Sequence, residues 1–375
     1  MSKAALVNRD PAIRQGIALH PVNRPKPGVA LQPLVLPVTQ PVPEWLVVPM
    51  KLLVDARSPQ HRPRARLRFL GTLAAEVDRI YATLLPDLAI SAQQGDRIAG
   101  SLLETLPAFI VPLLDEASAI YHEEVGPALS ASQLVIAPIQ ELTDAQVDWL
   151  RRTYMTHIFP LLTPLAVDPG RPFPYIVHGT LNLLVELGSA EAGGAASNSM
   201  YACVRVPRFL PRLIPVPAQP DSAPGVTRWP MKGKDDAFYP RYGVWIEDVV
   251  GYFVCKLFPG MEVIASHRFR VIRMLEGTTL DGERTAAQRQ AAVYSRVTRL
   301  DAEDTMPDPL VSWLTYHLET SSQALLRGPS PLGMADLLAI LEALPKRPTS
   351  RWLRWMHWWG NLFFGHIKNP HQTRN

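Results

Sequence analysis

The chain has 375 residues, 47% of them apolar and 19% charged, which allows two globular domains and excludes wholesale disorder. A formal net charge of +4 suits an anionic ligand but is too mild to demand a nucleic-acid partner, and none is expected. Two cysteines, Cys203 and Cys255, are too few for a disulfide framework or a thiolate zinc site. Both lie in apolar runs and are expected to be buried free thiols in a reducing cytoplasm. No secretory pattern surrounds Lys3, Arg9 and Asp10, and no stretch approaches the roughly 18 apolar residues of a spanning helix, so a soluble cytoplasmic chain is expected.

Residues 1–42 are rich in proline, and Pro21-Val22-Asn23-Arg24-Pro25-Lys26-Pro27-Gly28 reads as an extended, solvated arm. Residues 43–145 read as a helical domain. Leu67, Leu70, Leu73, Ala74, Val77, Ile80, Tyr81 and Leu84 recur at three- and four-residue spacing. A second helix is predicted over about 91–106, and a third over about 108–125, carrying Ile110, Leu113, Leu114, Ala117 and Tyr121. The run Arg62, Arg64, Arg66, Arg68 makes no single face, because helical residues two apart diverge by about 200°. It reads as a helix start near Pro63 with solvated arginines. Thr143-Asp144-Ala145-Gln146 has the pattern of a capped helix start.

Residues 146–345 mix short strands with helices. Strands are predicted over 181–187, 200–206, 212–216, 263–274 and 292–300, and helices over 246–257, 309–318 and 334–344. The order predicts an α+β protein: an N-terminal helical bundle, then an α+β head domain with an antiparallel sheet. Residues 346–375 form a basic, tryptophan-rich tail. Trp352, Trp355, Trp358 and Trp359 beside Arg351 and Arg354 fit either contact with a membrane surface or a stripe docking on the bundle or another chain, the second being preferred.

The segment Phe159-Pro160-Leu161-Leu162-Thr163-Pro164-Leu165-Ala166-Val167-Asp168-Pro169-Gly170-Arg171-Pro172-Phe173-Pro174-Tyr175-Ile176 is similar to the signature that joins the N-terminal and middle domains of polyphosphate kinases. Leu67-Arg68-Phe69-Leu70, Val206-Pro207-Arg208-Phe209-Leu210-Pro211-Arg212, Leu257-Phe258-Pro259-Gly260-Met261-Glu262-Val263, Phe269-Arg270-Val271-Ile272-Arg273 and Leu332-Gly333-Met334-Ala335-Asp336-Leu337 follow in the family's order. Over residues 44–345 the chain resembles the two front domains of that family. Such kinases transfer the terminal phosphoryl group of ATP reversibly to polyphosphate, with magnesium and through a phosphohistidine in C-terminal domains. Those domains would follow Leu344, where about 30 residues remain.

The resemblance therefore implies a module that binds, dimerises or regulates in polyphosphate metabolism, inactive alone, with no catalytic residue, metal or cofactor of its own although the family uses ATP and Mg. Its partners would be polyphosphate, a full-length polyphosphate kinase or a second copy. Two alternatives are the non-catalytic half of a split polyphosphate kinase and a membrane-peripheral adaptor. The family's nucleotide-binding asparagine falls seven residues after the position of Phe69, where this chain has Glu76. A carboxylate cannot donate that hydrogen bond and repels phosphate, so Glu76 reads as a surface or interhelical carboxylate. His366-Ile367-Lys368 has too little chain after it to build a phosphoryl-transfer site and reads as a decoy. Strand alternation puts Arg268 and Arg270 on one face with Ile272, and Phe269, Val271 and Arg273 on the other. With Arg205, Arg208 and Arg212 these arginines form a candidate lining for polyphosphate; the alternative is a sheet face with ordinary ion pairs.

Overall fold

A computed structural model describes residues 44–132, 135–167, 172–189, 200–217, 242–275 and 296–343. The arm 1–42 and the tail 346–375, with its tryptophans, His366 and Lys368, lie outside the described residues. Helices α1 (Glu44–Arg57) and α2 (Pro63–Arg79) pack side by side. Pro63 sits in the first turn of α2, where its missing N–H would have had no partner anyway. Leu67, Leu70, Leu73 and Val77 are fully buried, as their spacing predicts. Arg66 departs from the expected solvated arginines. It is buried, its Nε donates to the Ala56 carbonyl at 2.5 Å, and its guanidinium pairs with Glu124.

A π turn (Ile80–Leu84) carries α2 into α3 (Leu85–Gln93). Asp96 then caps α4 (Arg97–Ala119), accepting from the backbone N–H groups of Ile98 and Ala99. Where two helices dividing near Ala108 are predicted, α4 runs unbroken through Pro107 and Pro112, and a second π turn (Ile120–Val125) leads into α5 (Gly126–Ser132). Each internal proline costs about 3 kcal/mol. Burial of Leu106, Phe109, Ile110 and Leu113, at roughly 1.5–3 kcal/mol per side chain, offsets that. The stretch Arg97–Ser130 is long and apolar enough by composition to cross a membrane, where no such stretch is expected from the sequence; 28% of its most apolar window is buried, and Leu106, Phe109, Ile110 and Leu113 lie in the helical core.

Beyond Thr143 and Gln146, which close the predicted capping box at the start of α6 (Asp144–Thr153), the head begins. Its six-stranded sheet runs β2 (Pro164–Val167), β4 (Met200–Arg205), β3 (Leu181–Ser189), β7 (Met261–Arg273), β8 (Val297–Glu303), β9 (Leu325–Gly328). Neighbours are antiparallel as far as β8, but β8 and β9 are parallel. The expectation of a wholly antiparallel sheet is thus corrected: helix α8 (Asp308–His317) intervenes and returns the chain to the end of the sheet where β8 began. A second sheet, β1 (Val135–Ile136), β6 (Tyr242–Trp245), β5 (Leu213–Val216), is also mixed.

Leu183, Val185 and Val204 face α6 and α7 (Ile246–Phe253) in one core, while Leu184, Cys203, Phe269 and Val271 face α8 in another. Burial pushes the Cys203 thiol up to about 12. Cys255, expected to be buried, is exposed on the short turn Val254–Leu257 that ends α7.

The two layers share a third core. Leu213, Trp245 and Ile272 of the head pack with the bundle, as do Leu337 and Ile340 from the turn Met334–Leu337 and helix α9 (Leu338–Ala343). Gly71 of α2 permits this approach, since a Cβ there would lie 2.8 Å from the Leu338 side chain. Gly71→Ala is expected to destabilise the fold by about 1–3 kcal/mol through forced repacking, read as a lower urea midpoint with an unchanged slope.

Candidate functional site

The alternation of β7 places Arg268 and Arg270 on the predicted common face, and β8 answers it strand to strand. Arg270 lies opposite Asp301, and Ile272 opposite Arg299. Arg270 reaches Asp301 through Nε at 2.9 Å and Nη2 at 2.6 Å, and Asp78 of α2 through Nη1 at 2.7 Å and Nη2 at 3.0 Å. Arg299 donates from Nε to Asp301 at 2.8 Å, pairs with Asp78 as well, and lies 4.9 Å from the centre of the Tyr81 ring. Two guanidinium groups and two carboxylates thus neutralise one another between the layers. Burial by itself would raise the Asp78 carboxyl, but Arg270 and Arg299 overrule it and hold it well below the usual carboxylate range.

A second cluster adjoins the first. Arg268 contacts Asp248 at 2.7 Å and Glu303 at 3.4 Å, and Glu303 also meets His267 Nδ1 at 3.1 Å. Arg212 donates to Glu247 at 2.8 Å and to the Leu332 carbonyl at 3.0 Å, and its Nε lies 3.1 Å from Asp336. Glu247, in the first turn of α7, is fully buried, and its Oε2 has no hydrogen-bond partner. Burial pushes its carboxyl up to about 7, with Arg212 opposing the rise and Asp248 adding to it.

Of the candidate polyphosphate-lining residues, Arg212, Arg268 and Arg270 are therefore engaged with carboxylates. Arg205 and Arg208 are exposed and have no ionic partner among the described residues. The Arg208 guanidinium packs over Gly179, where a Cβ would come within 3.3 Å of it. Burial, then the charge of Arg208, lowers the pKa of neighbouring His178, a sign of a positive local field. Glu76 pairs with Arg79 at 2.8 Å, partly exposed, and stands outside the Asp78 network. Among the described residues, no group of three or more His, Cys, Asp or Glu side chains is placed to hold a metal ion.

Sequence reasoning missed Asp78, Arg299, Asp301, Glu303 and Glu247. The signal for three of them was Arg299-x-Asp301-x-Glu303, whose two-residue spacing complements Arg268-x-Arg270 on the neighbouring strand.

Residues 145–340, just over half of the chain, match the family model for the polyphosphate kinase middle domain. The chain belongs to the polyphosphate kinase family. It is 28% identical over 315 residues to polyphosphate kinase 1 of Chlorobaculum tepidum, an alignment covering 80% of this chain and 42% of that protein. It is 29% identical over 309 residues to polyphosphate kinase of Streptomyces coelicolor, covering 79% of this chain and 38% of that protein. The crystal structure of polyphosphate kinase from Porphyromonas gingivalis superposes with a TM-score of 0.61 at 21% identity, over 81% of this chain and 40% of that one, which shows the same fold. This family member spans about two fifths of the length of these relatives.

Two measurements test the charge clusters of this polyphosphate kinase family member. Asp78→Ala leaves two buried arginines sharing one carboxylate and is expected to cost about 3 kcal/mol or more in urea unfolding. Glu247 has a folded-state pKa raised above the ordinary carboxylate value, so the folded chain holds a proton that the unfolded chain releases, and stability falls as pH rises from that ordinary value towards about 7. Glu247→Gln should flatten this slope, a difference on the order of 1–3 kcal/mol between pH 5 and 8.

Proposed function

We propose that this chain is a front module of polyphosphate metabolism that binds polyphosphate and positions a partner, without phosphoryl-transfer chemistry among its described residues. The observation that carries this reading is the state of the arginines. Transfer of a phosphoryl group needs cations gathered around its equatorial oxygens. Arg212, Arg268, Arg270 and Arg299 gather instead around the module's own carboxylates. Glu76, held by Arg79, presents an acceptor where the family resemblance calls for a donor to the nucleotide. Polyphosphate contact in this reading falls to Arg205 and to Arg208, the latter beside His178. The partner is a polyphosphate kinase chain or a second copy, in the cytoplasm; membrane contact would depend on the tail 346–375.

A second reading keeps the activity that the relatives' names carry. The chain would supply the front part of a polyphosphate kinase whose catalytic domains are furnished separately. Its support is the relatives' own name, polyphosphate kinase, together with the shared front-domain fold. Mixing this chain with the catalytic part of a relative, and following ATP-dependent polyphosphate formation, separates the two.

The binding reading predicts saturable, salt-dependent polyphosphate association with no ATP turnover by the purified chain. Arg205→Glu with Arg208→Glu should weaken association about tenfold or more and make the dependence on salt shallower by about two phosphate contacts. Arg270→Met should lower stability and leave that salt slope alone. Robust conversion of ATP to polyphosphate by the isolated chain would overturn the proposal.

A further inference from the structure

A cavity of about 170 Å³ lies on one face of the six-stranded sheet, where β2, β4 and β3 run side by side. Strand register builds it. Leu165 of β2 stands opposite Cys203 of β4, and Asn182 of β3 stands opposite Arg205 of β4. Opposed residues share a face, so these four side chains line the cavity together. Tyr175 and Ile176, from the segment before β3, line it as well, and Arg273 holds them in place. Its Nε donates to the Ile176 carbonyl at 2.8 Å, and its guanidinium lies 4.4 Å from the centre of the Tyr175 ring. A void of this size accepts a benzene-sized body.

Two polar groups decide what the cavity admits. Arg205 is the charged residue of the lining, no Asp or Glu among the described residues lines it, and Arg205 has no ionic partner among them. Asn182 is 1% exposed, and its Nδ2 donates to the Thr180 carbonyl at 2.8 Å and to the Thr180 hydroxyl at 3.3 Å. Those bonds fix the amide and leave Oδ1 to accept from an occupant. We infer that the cavity binds a small hydroxy acid with an apolar body, its carboxylate on Arg205, its hydroxyl donating to Asn182 and its body against Leu165 and Ile176. Opposed Cβ atoms stand about 4.5–5.5 Å apart, which suits a carboxylate and a hydroxyl on neighbouring carbons. An ammonium group would meet Arg205 as a like charge, and a plain carboxylate would leave the buried Asn182 acceptor unmatched. Polyphosphate, charged along its whole length, gains nothing from the apolar walls. The site shares Arg205 with the proposed polyphosphate contact but requires neither Arg208 nor polyphosphate.

Three probes with one phenyl body test the assignment on the full chain. Mandelate carries a carboxylate and a hydroxyl, phenylacetate the carboxylate alone, and styrene glycol hydroxyls alone. Binding is read by calorimetry and by shift in melting temperature with no polyphosphate present, so failure here leaves the polyphosphate reading standing. Mandelate is expected to bind saturably and raise the melting temperature. Phenylacetate should bind about threefold or more weakly, and styrene glycol about tenfold or more weakly. Arg205→Gln, at an exposed position, should fold normally, weaken mandelate by about tenfold and abolish its advantage over the glycol. Leu165→Trp, exposed on the edge strand β2, should block all three by filling the space while keeping the arginine. Phenylacetate binding as tightly as mandelate would overturn the hydroxy-acid assignment. Equal binding of the glycol, an unchanged affinity in either variant, or no saturable binding by about 10 mM would overturn the site itself.

Discussion

Two guanidinium groups are buried where the sheet meets the bundle, and the head alone supplies only one carboxylate on which both converge. Arg270 and Arg299 both converge on Asp301, which leaves the surface of β7 and β8 with an excess positive charge until α2 delivers Asp78. An uncompensated charge in that setting costs several kcal/mol, whereas the completed quartet is neutral and richly hydrogen-bonded. Docking of the layers is thereby conditional on register. A shift of α2 by one residue would rotate Asp78 by about 100° away from the arginines. Apolar contacts among Leu67, Leu70, Leu337 and Ile340 supply most of the attraction between the layers, and the quartet selects which packing is allowed.

The segment after β9 is built around the same arginine. Gly333 has φ of +72°, and a Cβ there would stand 2.9 Å from the Arg270 guanidinium. Glycine is required on both counts, for the left-handed backbone and for the close passage of the side chain. A few residues on, Asp336 is tied to Arg212, which also holds the Leu332 carbonyl and Glu247. The chain from Leu332 to α9 is thus tied to the head by Arg212 and packed against Arg270 before it returns to α2.

How much of this was legible in the sequence depended on the reach of each signal. Apolar spacing along Leu67–Val77 and the Thr143/Gln146 capping box are local, and the structure matches them. The alternation of β7 put Arg268 and Arg270 on one face correctly, and complementary charges on β8 were within reach of the same reasoning. Asp78 was not, because it stands 192 positions from Arg270, and no local pattern links them. The π turns, the unbroken α4 through two prolines, the four-residue β9 and its parallel pairing were set by tertiary packing, which overrides propensity. Cys255 misled because an apolar run was read as buried throughout, whereas a helix end turns successive side chains towards different surroundings.

The same electrostatics decides which arginines are open to an external anion. To engage Arg270, a phosphate would have to displace Asp78 and Asp301 from contacts of 2.6–3.0 Å, leaving the half-buried Asp78 and buried Asp301 carboxylates facing an incoming anion. Each displaced carboxylate then repels the ligand and loses its hydrogen bonds, so the exchange opposes binding at the moment contact is made. Arg205 and Arg208 carry no such obligation. They already stand in water, and a phosphate there replaces counter-ions rather than side chains. Arginines close together in sequence therefore divide by their partners: those with carboxylates in reach hold the layers together, and those without remain available to an external anion.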